Sequence, residues 1–270
     1  MWESMKLDKK MRPDVVEKRK ATQKMMEDME MRLIPHINAT TWPDWVFPDI
    51  AKLGINGLLI KDFGGPGFTT LEAGSIIVEM AKIDGSVAMT FLVQNCLGMA
   101  VVDALGDDTQ RAKLLPDLLS LKKHISFGLT EPTNGSDASA LLTKAIKVEG
   151  GYRLSGRKRW IGNATFADYI IVWARNEQEQ NKVQGFLVTK GSAGLRTEKM
   201  EGKLACRMTQ NTDIYMDDVF VPSNMRLTKA TDFQTGTNSL LRTSRIQVAF
   251  WVAGLMAGSY EAALKYTLER

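Results

Sequence analysis

Residues 127–137 read Phe-Gly-Leu-Thr-Glu-Pro-Thr-Asn-Gly-Ser-Asp, and further along comes Lys158-Arg159-Trp160-Ile161-Gly162-Asn163. The first segment has the composition of a strand end running into a turn. Pro132 fixes φ, Asn134-Gly135 can take the φ > 0 of a tight turn, and Ser136-Asp137 offer short polar side chains. Such a loop turns backbone N–H groups and a hydroxyl to one face, which suits a phosphate or the polar edge of a heterocycle. In the second segment a strand of mixed polarity ends on a Trp, a Gly and an Asn, so a flat aromatic stands beside a position without a side chain. Together the two read as a site for a flat, phosphorylated cofactor. Taken singly, each also reads as plain structure, the first as a hairpin connection and Trp160 as a core or rim aromatic.

The elements that must hold these segments follow from the hydrophobic period. Thr22, Met25, Met26, Met29 and Leu33 recur at helical spacing and make one amphipathic stripe suited to core packing. Pro48 suits a first helical turn, Gly54 a helix end, and Thr69 with Glu72 a capping box that opens a helix to Ile83. An apolar helix follows Asp84-Gly85 and reaches Leu105. From Ile125 the pattern becomes short runs rich in β-branched and aromatic residues, with candidate strands at 125–130, 141–148, 152–160, 168–175, 184–190, 195–200 and 211–217. Helix returns over 239–270. The expected fold class is α+β and multidomain: a helical domain over 1–125, an antiparallel β-barrel or sandwich over 126–225 carrying the loop, and the start of a C-terminal helical bundle over 226–270. The order lacks βαβ alternation, and no G-x-G-x-x-G, Walker, G-x-S-x-G or H-E-x-x-H motif occurs, which argues against a doubly wound nucleotide fold.

Composition narrows the function classes. The 270 residues are 44% hydrophobic and 24% charged with a net charge of +4, ordinary for a soluble globular protein. No Lys/Arg block interleaved with aromatics points to nucleic acid, so the basic balance argues at most for anionic small ligands. Cys96 and Cys206 lack metal-ligand spacing, Cys96 reads as a buried free thiol, and a reducing compartment follows. Residues 86–105 include Gln94, Asn95 and Asp103 and read as a buried helix, not a membrane span. The N-terminal basic residues are mixed with Glu3, Asp8, Asp14 and Glu17, so no targeting signal is visible.

On the residues already quoted, the chain resembles the acyl-CoA dehydrogenase and acyl-CoA oxidase flavoprotein family, in which a T-E-P-x-x-G-S-D loop and a downstream K-x-W-I-x-N segment line FAD. The likeness continues through Phe186-Leu187-Val188, Gly194-Leu195-Arg196, Asp217-Asp218-Val219-Phe220-Val221-Pro222 and Ser244-Arg245, from about Pro43 to Arg270. It implies FAD as cofactor and no metal, with Phe127, Leu129, Thr130, Gly135, Ser136, Trp160, Ile161 and Gly162 at the cofactor. Backbone groups around Leu129 and Thr130 would match the flavin's pyrimidine edge, and fixed N–H dipoles would stabilise charge at N1 and O2 on reduction. Ser136 falls near the pyrophosphate and the CoA chain; its plain alternative is a hydroxyl bonding its own turn. Trp160 would cover the ring system. Arg245 matches a position that contacts acyl-CoA, with a surface or interhelical ion pair as its alternative. The implied reaction is α,β-dehydrogenation of an acyl-CoA thioester to a trans-2-enoyl-CoA, as in fatty acid β-oxidation: a glutamate takes the α-proton and the β-hydrogen leaves as hydride to the flavin. The partners implied are acyl-CoA and either O2 or an electron-transfer flavoprotein, in a homodimer or homotetramer when full length, in peroxisome or mitochondrial matrix.

Two departures sharpen the expectation. Many dehydrogenases of this family carry Thr or Ser where this chain has Gly162, and related oxidases carry Gly. The missing hydroxyl opens room where dioxygen would approach, so Trp-Ile-Gly-Asn and the following Thr165-Phe-Ala-Asp168 look most like the short-chain acyl-CoA oxidase branch related to glutaryl-CoA dehydrogenase. The expected acceptor is therefore O2, with an electron-transfer flavoprotein as the alternative. The second departure is the catalytic glutamate, which the resemblance places beyond Arg270. Glu261 and Glu269 do not match its position, and residues 247–251 hold no acid. The last helix has an apolar face left to cover, so the chain reads as a C-terminally truncated piece of a longer enzyme. Two other readings stay open, a catalytically dead flavin- or acyl-CoA-binding subunit of the same fold, and a helical and β-barrel binding module without a cofactor.

Overall fold

Pro13 opens the first long helix, where its fixed φ suits the first turn and its missing N–H costs nothing. In the computed structural model, which describes Trp2 and residues 5–270, this helix α1 (Pro13–Ala39) buries Val15, Arg19, Thr22, Met26, Met29 and Leu33 along one stripe. That is the face the Thr22–Leu33 spacing predicts. A short α2 (Val46–Lys52) follows and gives way at Gly54, whose φ of 60° favours glycine. α3 (Thr70–Ile83) begins on the expected capping box: Thr69 Oγ1 accepts from the Glu72 amide at 3.3 Å, and Glu72 Oε2 accepts from the Thr69 amide at 2.8 Å. The apolar run Gly85–Leu105 comprises α4 (Gly85–Leu92), a π-helical turn (Val93–Met99) and α5 (Ala100–Leu105). It is long and apolar enough to cross a membrane, yet 78% of its most apolar window is buried inside the protein, as in a core helix.

Contacts divide the chain into two compact units, residues 1–92 with 205–209 and 244–270, and residues 93–204 with 210–243. In the first, α7 (Ser239–Leu268) enters from residue 244 and meets α3 almost backbone to backbone. A Cβ on Gly254 would stand 2.7 Å from both Ala81 Cβ and the Val78 carbonyl oxygen, and one on Gly258 would stand 2.0 Å from the Lys82 carbonyl oxygen. Trp251 Nε1 donates to the Gly85 carbonyl at 3.0 Å. The opposite face of α7 exposes Val248, Val252, Met256, Tyr260 and Leu264 at four-residue spacing.

In the second unit α6 (Asp108–Leu119) opens on a second capping box, Asp107 with Gln110, and Gln110 Nε2 donates to the Asn224 and Arg226 carbonyls. The seven expected strands all form: β1 (Ile125–Gly128), β2 (Lys144–Val148), β3 (Gly151–Ile161), β4 (Tyr169–Asn176), β5 (Lys182–Thr189), β6 (Leu195–Lys199) and β7 (Thr212–Pro222). They make one curled sheet in the order β1-β4-β2-β3-β7-β6, with β5 on the other edge of β4. One side packs Tyr152, Leu154, Ile170, Val172, Phe186, Ile214 and Val219 into a core. The sheet is mixed where the pattern suggested antiparallel pairing throughout. β1 and β2 both run parallel to β4, β1 beside Tyr169–Val172 and β2 beside Arg175–Asn176. The chain thus leaves the edge of β4 at Gly128 and returns to the same edge at Lys144, and the segment between must loop out of the sheet.

The close approach of α7 to α3 is testable at Gly254 and Gly258. Gly→Ala in an exposed helix stabilises by about 1 kcal/mol. Here the added carbon should reverse the sign and cost about 1–3 kcal/mol by overpacking. Urea unfolding of Gly254→Ala and Gly258→Ala should show lower midpoints; a raised midpoint would mean that the helices are not in backbone contact.

Candidate cofactor site

The loop between Gly128 and Lys144 is fastened at its base by a buried acid. Glu131 Oε1 accepts from Lys158 Nζ at 2.8 Å, from the Thr143 amide at 2.9 Å and from Thr143 Oγ1 at 2.6 Å, and Oε2 accepts from the Leu142 amide at 2.6 Å. Lys158 Nζ also donates to the Leu129 carbonyl at 3.1 Å, and the Arg159 amide donates to the Thr130 carbonyl at 2.8 Å. The side chains of Lys158 and Glu131 are 0% and 3% exposed. Burial pushes the Glu131 carboxyl up, but the Lys158 charge and the hydrogen bonds from Lys158, Thr143 and Leu142 outweigh it and hold the carboxyl below its usual range. Burial brings the Lys158 ammonium down to about 8, against the raising influence of Glu131, so both groups carry charge at neutral pH.

Beyond this anchor the loop opens outward. Pro132, Thr133, Gly135, Ser136 and Asp137 are exposed. The turn closes through a bond from the Glu131 amide to the Asn134 carbonyl at 3.2 Å. Neither Asn134 nor Gly135 takes the left-handed conformation their types suggest. A Cβ on Gly135 would meet nothing within 4 Å, so no neighbour in the protein demands glycine there and the backbone stays open to a ligand.

The left-handed positions lie across from the loop. β3 slips register against β7 between Lys158 and Ile161, and Trp160 (φ 65°) and Asn163 (φ 66°) flank Ile161-Gly162. A bulky residue at positive φ costs on the order of 1–3 kcal/mol and is found where function holds it. The bulge throws Trp160 outward: its side chain is 54% exposed, between the buried Lys158 and Ile161. Asn211 Nδ2 donates to the Trp160 carbonyl at 3.2 Å, and Ser126 Oγ donates to the Gly162 carbonyl at 2.6 Å, fixing both ends of the turn.

Leu129, Thr130, Trp160, Ile161 and Gly162 therefore share the region where β1 and the end of β3 meet, with Gly135 and Ser136 on the exposed part of the same loop. Phe127 is buried with its ring against Trp173, 6.0 Å between centroids, so only its backbone is available to a cofactor. Arg245 is exposed on α7, in the other compact unit. The residues missed in the sequence are Lys158, Glu131 and Thr143 as an anchor: Glu131 and Lys158 stand inside the two quoted motifs, but their pairing spans 27 positions and no local pattern announces it. No cluster of three or more His, Cys, Asp or Glu able to hold a metal occurs among the described residues. An exposed indole beside an anchored loop with an open glycine fits a flat, phosphorylated cofactor.

A helical unit and a curled β unit with such a loop at the sheet edge make up an α+β architecture. Sequence profiles of the acyl-CoA dehydrogenase N-terminal domain and middle domain match residues 14–122 and 126–219. The chain belongs to the acyl-CoA dehydrogenase family. It is 28% identical over 271 residues to a caffeyl-CoA reductase-Etf complex subunit of Acetobacterium woodii, covering 99% of this chain and 69% of that protein. It is 35% identical over 185 residues to a mitochondrial isobutyryl-CoA dehydrogenase of Dictyostelium discoideum, covering 67% of this chain and 44% of that one. Its fold superimposes with a TM-score of 0.91 and 25% identity on the crystal structure of a glutaryl-CoA dehydrogenase from Mycobacterium smegmatis in complex with FADH2, covering 97% of this chain and 67% of that one. The chain thus spans only part of the length of these relatives.

The anchor has a pH signature. Because the folded pKa of Glu131 lies below its ordinary 4.5, its stabilising contribution is complete above that value and is lost as pH falls through the folded pKa. Glu131→Gln should melt lower than the parent at neutral pH and show a shallower further loss between about pH 5 and pH 3. Equal slopes in thermal melts across that range would show that Glu131 does not stay ionised in the folded protein.

Proposed function

We propose that this chain is the cofactor-bearing part of an FAD-dependent acyl-CoA dehydrogenase that forms a 2-enoyl-CoA and passes its electrons to an electron-transfer flavoprotein. The observation that carries the reading is Trp160, held outward in a left-handed turn beside a loop that Glu131 and Arg159 anchor from below. When bound, FAD supplies the two-electron oxidation by accepting hydride from the substrate's β-carbon. The residues of this chain would hold it: Leu129 and Thr130 through their backbone at the pyrimidine edge, Gly135 and Ser136 at the phosphates, Trp160 over the ring system, with the backbones of Phe127, Ile161 and Gly162 alongside. By the resemblance, Ser136 and Arg245 are each candidate contacts for acyl-CoA, in different compact units. The proposed chemistry calls for a glutamate as α-proton acceptor, and residues 247–251 hold no acid. Glu261 is a poor substitute, since its carboxylate is paired with Lys82 Nζ at 2.8 Å and is largely exposed.

The choice of acceptor follows the comparisons, which favour the dehydrogenase alternative over the expected oxidase. The caffeyl-CoA reductase subunit is named for its complex with Etf, and the other relatives above are dehydrogenases. One observation still supports an oxidase as second reading: Gly162 brings no hydroxyl to the turn. The proposed site of action is the mitochondrial matrix or its bacterial counterpart; a peroxisomal placement has no support among the relatives. The exposed apolar stripe of α7 supports a homodimer or homotetramer, or further protein of its own chain, covering that face.

The enzyme expressed from its full reading frame should be yellow, and acyl-CoA thioesters should bleach its visible flavin band anaerobically. Reoxidation by an electron-transfer flavoprotein should be fast and by dioxygen slow. Trp160→Ala should weaken FAD binding by about tenfold, from loss of roughly 1–1.5 kcal/mol of aromatic contact. A colourless protein that takes up no FAD would refute the flavin reading. Rapid peroxide formation with dioxygen, slowed by Gly162→Thr, would instead establish the oxidase.

A further inference from the structure

We infer that the buried Lys158–Glu131 pair is the positioning device of the cofactor site: it sets the register between the Leu129–Glu131 backbone and the Trp160 turn, and adds no more to stability than an apolar pair of similar size would. The inference rests on the flavin reading above. Removing two charges from water is costly, and an apolar pair of similar size commonly serves the fold as well or better. The arrangement of partners shows what the pair does instead. Among the described residues, Lys158 Nζ donates to the loop, at the Leu129 carbonyl and the Glu131 carboxylate. Glu131 gathers the far end of the loop through the Leu142 and Thr143 amides and the Thr143 hydroxyl. Two separate stretches of chain, β3 and the returning end of the loop, therefore converge on one carboxylate.

The next residue of β3 repeats the attachment, since the Arg159 amide bonds the Thr130 carbonyl. Trp160 follows at once in the bulge. β3 also approaches Thr143 closely: a Cβ on Gly156, at φ 151°, would lie 2.6 Å from Thr143 Oγ1 and 2.8 Å from its Cα. The loop's amides and the indole are thus referred to the same few residues of one strand. Lys158 and Glu131 touch no reacting atom; they act through the backbone they hold.

The test uses the full-length enzyme and the double variant Lys158→Met/Glu131→Leu. Measured are the melting temperature, the FAD Kd by fluorescence titration of apoprotein, the visible circular dichroism of bound flavin, and amide exchange at residues 129–131. The expected result is a melting temperature equal to or above wild type, a Kd raised about tenfold or more, an altered flavin dichroism, and faster exchange confined to the loop. Lys158→Arg, which keeps charge and donors, should restore most of the affinity that Lys158→Met loses, and this pair decides the question if the double variant does not fold. A folded double variant, or a folded Lys158→Met, with wild-type Kd and dichroism overturns the inference. If wild type itself takes up no FAD, the flavin reading falls, and unchanged loop exchange in the folded variants would then overturn the positioning role by itself.

Discussion

A charge that has left water must be answered from every side, and Glu131 is such a charge. Its two oxygens collect one ammonium, two backbone amides and a hydroxyl, drawn from β3 and from the returning end of the loop. The need for that loop comes from topology. β1 and β2 lie parallel on one edge of β4, so the chain cannot turn back in a hairpin and must leave the sheet between them. An excursion of that kind carries many backbone polar groups, and the carboxylate satisfies those at its base while leaving the outer part exposed. What results is a loop rigid where it meets the sheet and open where a ligand would lie.

The other side of the site is made by strain. The register slip in β3 spends backbone energy to hold Trp160 left-handed and outward, when the easier course for an indole at the end of a buried strand is to turn inward. Ser126 of β1 and Asn211, the residue before β7, fix the carbonyls of the turn, so the exposed ring stands on a braced backbone. Gly162 lies within this brace. It brings no side chain and no hydroxyl to the turn.

The helical unit uses a different economy. α3 is buried on nearly all sides, and glycines on α7 let the two backbones come together where side chains would hold them apart. That approach commits one face of α7 to α3 and leaves the stripe from Val248 to Leu264 in solvent. An apolar stripe of this regularity on a long helix is the kind of surface that further protein covers.

Much of this was legible in the residue string because its causes are local. Helical spacing marks the buried face of α1, the Thr69/Glu72 pair sets the start of α3, and alternating β-branched runs locate all seven strands to within a few residues. The two cofactor segments stand out for the same reason, since turn formers, a Trp-Ile-Gly-Asn ending and their flanks are short-range patterns. What only the tertiary structure decided depends on pairing between distant positions. Hydrophobic alternation is the same for parallel and antiparallel neighbours, so the mixed sheet could not be read from it. Asn134-Gly135 has the composition of a left-handed turn, yet the loop closes there on a bond from the Glu131 amide to the Asn134 carbonyl without one. Trp160, which composition leaves as either core or rim, is sent outward by a bulge that exists only because β3 pairs with β7. Lys158 and Glu131 each carry a charge that a sequence reader places at the surface; they are buried because the fold brings them together, and only together can they afford to leave water.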